Sequence, residues 1–305
     1  MNNVLNHIDR NLEMPLDLPE LAGVAHFSPF HFHRIFAAWM GETLGDYVRR
    51  RRLEVGALRL RHHKKKTVLD VALSVGFASG EAFARAFKIH FGHTPSSWRA
   101  GGADQWASQL CELALEYRNL SQASGNPGQE MATDVANNRF SQPTETEIEM
   151  DVKLVNLPAT RIAYMRHIGP YGESIHQFWK KTFLPWTAAQ DLATQPCYGI
   201  AHDDPSITPA DKCRYDAAVE IPENFVPEGH AMAMTLPGGR YAVAQFEGQV
   251  MTIGSAWSDL CRGWLAESGM TFDDRPSFEY YGAESKFDPE TGILKCEICI
   301  PVRPL

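Results

Sequence analysis

Through residues 1–100 the apolar positions recur every three to four residues, in short runs broken by Ser, Thr, Gly and Pro, which predicts a set of short helices. Val4, Leu5, Ile8 and Leu12 share one face of a first helix over Met1 to Leu12. Asp17-Leu18-Pro19-Glu20 reads as a capping box and opens a second, to Ala25. A third runs from Pro29 to Met40, with Ile35, Phe36 and Trp39 or Met40 facing inward. Thr43 to about Leu60 or Arg61 is one long helix whose apolar positions are Leu44, Tyr47, Val48, Leu53, Val55 and Leu58. Thr67-Val68-Leu69-Asp70 is a second capping box, before the run Val68 to Val75. Gly76 then breaks the chain and Ser79 caps a helix with a Phe83–Phe87 seam. Gly92 stops that helix, and Thr94 with Pro95 starts the next. Two short helices around a tight turn make a helix-turn-helix.

That unit occurs twice. Ser28, Arg34, Phe36, Gly41, Thr43 and Tyr47 run parallel to Ser79, Arg85, Phe87, Gly92, Thr94 and Trp98 at an offset of 51 residues. Phe27 and Phe77 are 50 apart, so the second turn is one residue longer. The long helix between the units spans roughly 28 Å at about 1.5 Å per residue. One DNA turn is ~34 Å, so such a helix could hold two reading helices about one turn apart. Phe30, His33 and Arg34 are placed to face the groove from the first reading helix. Ser79, Gly80, Glu81, Ala84, Arg85 and Lys88 are their equivalents on the second. Arg49-Arg50-Arg51-Arg52 and the run Arg61 to Lys66 are phosphate candidates, Arg49 and Arg50 foremost. A solvated basic face is the plainer reading of each run.

The period changes after residue 150. Strands are predicted over 161–168, 197–202 and 214–221, and again over 240–247, 277–283 and 294–300, with helices over about 171–188 and 250–268. Leu157-Pro158-Ala159-Thr160-Arg161-Ile162-Ala163 matches Leu236-Pro237-Gly238-Gly239-Arg240-Tyr241-Ala242 at an offset of 79. The expectation is an all-α double helix-turn-helix domain followed by an α+β domain. The latter would hold two pseudo-symmetric β-α-β-β repeats, with one antiparallel sheet, both helices on one face and a cleft between the halves. Alternation puts Ser277, Glu279 and Tyr281 on one face of their strand. Under the repeat, with Pro196 matching Pro276, the counterpart of Glu279 is Gly199, so one half offers a carboxylate where the other offers empty space. Tyr164, Phe183, Tyr241 and Trp264 lie near that level and are expected to wall a pocket that could hold a cation by its ring faces.

Charge divides the same way. The net charge is −8, yet residues 1–100 carry 14 Lys and Arg against 9 Asp and Glu, and the rest carries 15 against 28. A basic head suits phosphate; an acidic body does not. The boundaries expected are 1–103, a linker over 104–148, and 149–305. Within the linker, Trp106, Leu110, Leu113, Tyr117 and Leu120 are near helical spacing, and 121–147 is a Ser-, Gln-, Asn- and Gly-rich tether. No run has the roughly eighteen apolar residues of a membrane span, and Met1 to Arg10 has no signal core. The six cysteines show no framework spacing, and reduced thiols in a cytoplasmic protein are expected. Cys296 and Cys299 would point to opposite faces of a strand, so neither metal nor cofactor is expected. No catalytic motif is present, and no catalytic residue is assigned.

Gly-Phe-x-Ser-x-x-x-Phe-x-Arg-x-Phe-Lys-x-x-Phe-Gly-x-Thr-Pro-x-x-Trp-Arg, at positions 76–99, resembles the signature of AraC/XylS-type transcription regulators. That resemblance implies double-stranded DNA as partner, with RNA polymerase a further candidate. Gly80 and Glu81 depart from it, standing where relatives tend to place amide side chains. Residues 150–305 resemble the GyrI-like effector-binding domain through Leu-Pro-x-x-Arg-x-Ala, Asp203 to Asp216 and Pro276 to Tyr281. The resemblance implies a small, often aromatic or cationic effector held by Glu279. Some relatives resemble hydrolases, so an enzyme working through the C-terminal cleft stands as the alternative to a ligand-responsive regulator.

Overall fold

A computed structural model describes residues 1–110, 151–288 and 290–305. The chain forms two compact units, the first spanning Met1–Leu110. Leu113, Tyr117, Leu120 and the tether at 121–147 lie outside the described residues.

The first unit is helical: α1 (Asn2–Arg10), α2 (Leu18–Val24), α3 (Pro29–Met40), α4 (Leu44–His62), α5 (Val68–Ser74), α6 (Gly80–Phe91) and α7 (Pro95–Ser97), with residues 103–110 helical again. Its boundaries are written in short polar side chains. Asp17, Ser28, Thr43, Thr67, Ser79 and Thr94 each accept from the backbone N–H three residues on, satisfying a donor the helix leaves unpaired. Thr67–Asp70 closes as a reciprocal box. The Asp17 box does not, because the Glu20 side chain turns instead to His7, 2.9 Å away. The buried seams are Phe32–Phe36–Met40 on α3 and Phe83–Phe87–Phe91 on α6, equivalent under the 51-residue offset. Ile35, expected inside, is 39% exposed, and of Trp39 and Met40 it is Met40 that packs inward, Trp39 being 41% exposed. A seam stepping by four puts Ile35 and Trp39 on its flank.

α4 departs most from its expected pattern. Both helix-turn-helix units pack on it, so it is enclosed on most sides and buries Arg50, Arg51 and Glu54 beside Leu53, Ala57 and Leu60. Arg52 donates to the carbonyls of Leu12 (2.9 Å) and Met14 (2.8 Å), capping the chain after α1. Gly76, at φ +81°, rests on this joint; a Cβ there would stand 2.3 Å from the Leu12 carbonyl oxygen. In the first helix-turn-helix the left-handed residue of the turn is His26 (φ 58°).

The second unit is a curled antiparallel sheet. Its strands are β1 (Val152–Leu157), β2 (Thr160–Ile168), β3 (Cys197–Ala201), β4 (Arg214–Glu220), β5 (Met232–Leu236), β6 (Gly239–Gln249), β7 (Met270–Phe272), β8 (Phe278–Tyr281), β9 (Lys286–Phe287) and β10 (Ile293–Pro304). The order β1-β6-β10-β8-β3-β4-β2-β5 is palindromic under the repeat. β1 and β5, which the expected β-α-β-β halves omitted, are exchanged: each pairs with the other half, β1 with β6 and β5 with β2. Since β1 runs straight into β2, and β5 into β6, the sheet must curl until its edges meet. The two Leu-Pro links cross there, so closely that a Cβ on Gly238 would lie 2.5 Å from the Ala159 nitrogen.

Helix α8 (Glu173–Phe178, continuing through Trp179–Phe183 and Leu184–Ala189) follows β2, and α9 (Ile253–Ser258, continuing through Asp259–Trp264 and Leu265–Glu267) follows β6. Both cover the same face. Register places Met165, Ala217, Gly199, Glu279, Ile298 and Ala244 in one row across six strands. Met165 and Ala217 pack in the α8 core, Ile298 and Ala244 in the α9 core. The next row, Tyr164, Ala218, Tyr198, Tyr280, Glu297 and Gln245, faces the inside of the curl.

Candidate DNA interface and ligand site

On α3, Phe30 (69% exposed), His33 and Arg34 all stand out from the surface, with the Arg34 guanidinium 5.8 Å from the Phe30 ring centre. On α6, Glu81, Arg85 and Lys88 are exposed and Ala84 is half-buried. The Ser79 hydroxyl is spent on the Ala82 N–H, and Gly80 packs on Leu69 of α5. The structure corrects the arginine run. Arg50 is buried between Glu42 (2.6 Å) and Glu54 (2.9 Å), so it cannot reach a phosphate. Burial opposes its charge, but the two carboxylates outweigh that and raise its pKa. Arg51 is likewise buried, on Glu54 (2.8 Å) and Asp9 (3.2 Å). Of the four, Arg49 is the exposed one. In the second run, Arg61 meets Asp104 at 3.3 Å, while Lys64, Lys65 and Lys66 are exposed. Alternation of charge with helix face, not the count of arginines, decides which can meet DNA.

In the second unit Glu279 sits at the pseudo-two-fold centre of the sheet, directly paired with Gly199. It is 9% exposed. Tyr215 (3.1 Å) and Tyr281 (2.8 Å) donate their hydroxyls to one carboxylate oxygen, and the Trp257 indole N–H donates to the other (3.0 Å). Trp179 donates in turn to the Tyr215 oxygen at 3.2 Å and sets its ring edge-on to Tyr281. Thus α9 sets Trp257 on the carboxylate, and α8 sets Trp179 on the tyrosine that holds it. Burial raises the Glu279 pKa against the pull of these three hydrogen bonds. Tyr215 and Tyr281 are pushed far up by burial and by the neighbouring Glu279 charge, and so remain donors.

The expected grouping is therefore half right in space. Gly199, Glu279 and Tyr281 are together. Tyr164 and Tyr241 are not: both belong to the core inside the curl, on the opposite face of the sheet from Glu279. Side chains one residue apart on a strand point opposite ways, and proximity in the pattern had hidden this. Phe183 is buried behind Trp179, ring centres 4.9 Å apart, and Trp264 packs in the α9 core. The space expected above Gly199 is filled. A Cβ there would lie 2.0 Å from the Tyr215 hydroxyl and 2.6 Å from the Glu279 carboxylate. Gly199→Ala is expected to destabilise this unit by about 1–3 kcal/mol, the range for overpacking, and to push Glu279 off its donors. Urea unfolding checks it; an unchanged midpoint would show that the site yields freely. Tyr215, Trp179 and Trp257 were missed. A glycine inside a strand is the signal that could have found Tyr215, since it marks close approach of another group. Cys296 and Cys299 pack on opposite faces of β10. No helix among the described residues is long and apolar enough to cross a membrane.

A basic double helix-turn-helix and a curled sheet around a buried carboxylate define a DNA-binding protein with a small-molecule site. Residues 150–303 match the GyrI-like small molecule binding domain, and residues 21–101 a helix-turn-helix domain. The transcriptional regulator Rob of Salmonella typhimurium is 25% identical over 312 residues, covering 99% of this chain and 98% of its own. The regulatory protein SoxS of Escherichia coli is 32% identical over 99 residues, 32% of this chain and 92% of its own. A solved AraC-type transcriptional regulator from Chromobacterium violaceum is 26% identical, covering 33% of this chain and 90% of that one, with a TM-score of 0.32. The chain belongs to the AraC-type helix-turn-helix transcription regulators that carry a GyrI-like small molecule binding domain.

Proposed function

We propose that a cationic aromatic effector binds at Glu279 and thereby changes how residues 1–103 engage DNA, with 104–148 as the connection. The carrying observation is the buried carboxylate, held by the neutral donors Tyr215, Tyr281 and Trp257, with Trp179 one step behind on Tyr215. A cation would supply the one partner this carboxylate lacks, and the rings would bind its apolar body. Gly199, Tyr215, Tyr281, Trp179 and Trp257 complete the site. Calorimetry of the full chain with a lipophilic aromatic cation tests it.

Regulation without catalysis is the reading favoured here. Around Glu279 stand two tyrosines and a tryptophan, and among the described residues no second carboxylate or imidazole is bonded to it. Activated esters are therefore expected to remain unhydrolysed. The setting is taken as cytoplasmic, and RNA polymerase as the partner through which bound protein acts.

In the head, base reading falls to Phe30, His33 and Arg34 on α3, and to Arg85 and Lys88 on α6, with Arg49 on phosphate. Arg34→Ala is expected to relax preference in one half-site, at a cost of about 1–3 kcal/mol, if it pairs with a guanine. Equal weakening on specific and random DNA would make Arg34 a phosphate contact. Gly80 and Glu81 offer α6 little to read with, so the second half-site should carry less sequence information.

A further inference from the structure

Between the two helix-turn-helix units lies a half-open hollow of about 480 Å³. Leu16, Leu44, Val48 and Phe77 give it apolar walls, and Arg49 and Arg52 stand at its edge. His33 of the first reading helix also lines it. The volume is in the usual range of small-molecule sites, ~300–1,000 Å³. Its two guanidiniums differ from their neighbours in the same run. Arg50 and Arg51 are neutralised by Glu42, Glu54 and Asp9. Arg52 meets only main-chain carbonyls, burial lowers its pKa, and Arg49 projects into solvent. Neither has a carboxylate partner among the described residues. An apolar hollow edged by two cations without counter-charge suits a hydrophobic body bearing a carboxylate.

We propose that this hollow binds a small amphipathic carboxylate, and that its occupancy opposes DNA binding. The ligand's carboxylate would engage Arg49 and Arg52, and its apolar body would cover Leu44, Val48 and Phe77. Competition follows because Arg49 and His33 are also assigned to DNA. At a ligand concentration ten times its Kd, apparent DNA affinity would fall about tenfold. A sugar–phosphate strand is the rival occupant. It carries the charge but no apolar body to match the walls.

Gly45 supplies a clean test. It lines the hollow, lies in the first turn of α4, and has only the Thr43 hydroxyl, at 4.0 Å, near an added Cβ. Gly45→Leu therefore adds its Cβ without a clash and places apolar bulk at the wall of the hollow, and helix propensity favours it. The full chain is titrated with a duplex selected from a random pool, by fluorescence anisotropy, with 2-naphthoate or neutral 2-naphthylmethanol as probe. Expected are a saturable, roughly tenfold weakening by naphthoate, a much smaller effect of the alcohol, and no effect of naphthoate on Gly45→Leu. Glu279→Gln should still respond, which separates this site from the one in the C-terminal unit. Calorimetry without DNA gives a second readout, in which Arg49→Gln should bind naphthoate about tenfold more weakly. The proposal is overturned if naphthoate has no effect, if the alcohol matches it, or if Gly45→Leu still responds. It is also overturned if Glu279→Gln abolishes the response, if Arg49→Gln binds naphthoate undiminished, or if Gly45→Leu loses DNA affinity without ligand, which would place the DNA backbone in the hollow.

Discussion

Glu279→Gln should abolish binding of a cationic aromatic effector and leave ligand-free DNA affinity intact. The substitution keeps the shape of the side chain and removes its charge. Losing one partner of a buried, hydrogen-bonded charge pair costs about 2–5 kcal/mol, which is roughly 30-fold or more in Kd. Calorimetry on the full chain reads the ligand, and a DNA titration reads the head; undiminished ligand affinity in the Gln variant would remove Glu279 from the site. The pH dependence has a definite sign. Burial raises the Glu279 pKa, so over the window from the ordinary carboxylate range up to that raised value the folded state holds a proton the unfolded state has released. Without ligand, stability of the C-terminal unit should therefore decline as pH rises through that window. Cation affinity should run the other way, gained as pH rises through the folded pKa and lost below it. A cation affinity flat across this window would mean that the charge on Glu279 is not what the ligand meets.

Glu54→Ala should strongly destabilise the head. Glu54 is 1% exposed and accepts from Arg50 at 2.9 Å and Arg51 at 2.8 Å, one on each oxygen. Removing it leaves two buried guanidiniums facing each other without the charge between them. Breaking a buried pair in this way costs about 3–5 kcal/mol. Glu42 and Asp9 each retain one arginine, which keeps the loss within that range rather than above it. Urea unfolding followed by helical circular dichroism measures it. Loss of less than about 1 kcal/mol, the worth of a surface pair, would show that water reaches the network. Glu54→Gln should fall between, since an amide oxygen still accepts from one arginine.

Local chemistry made much of this protein legible in its sequence. The caps at Asp17, Thr67, Ser79 and Thr94 marked helix starts, because each satisfies a donor within three residues of itself. The offsets of 51 and 79 residues exposed both internal repeats, and strand alternation placed Glu279 and Tyr281 on one face. The candidate reading helices, and Gly199 as the repeat counterpart of Glu279, followed from those patterns; that the two are direct neighbours across paired strands came from the register. What the pattern could not carry was contact between distant segments. Arg49 and Arg50 are neighbours in a uniform basic run, yet α4 turns one outward and seals the other against Glu42 and Glu54. Tyr164 and Tyr241 read as pocket walls until the register of the sheet put them on its far side. β1 and β5 were silent because their partners lie in the opposite half, some eighty residues away. Tyr215, Trp179 and Trp257 converge on Glu279 from a strand and two helices. The amino-acid sequence alone determined the helix limits, the two repeats and the central carboxylate, since these depend on neighbours a few residues apart or on a fixed period. Which arginines stay free and which rings meet Glu279 was decided by tertiary packing, because burial and hydrogen-bond reach are properties of segments brought together by the fold.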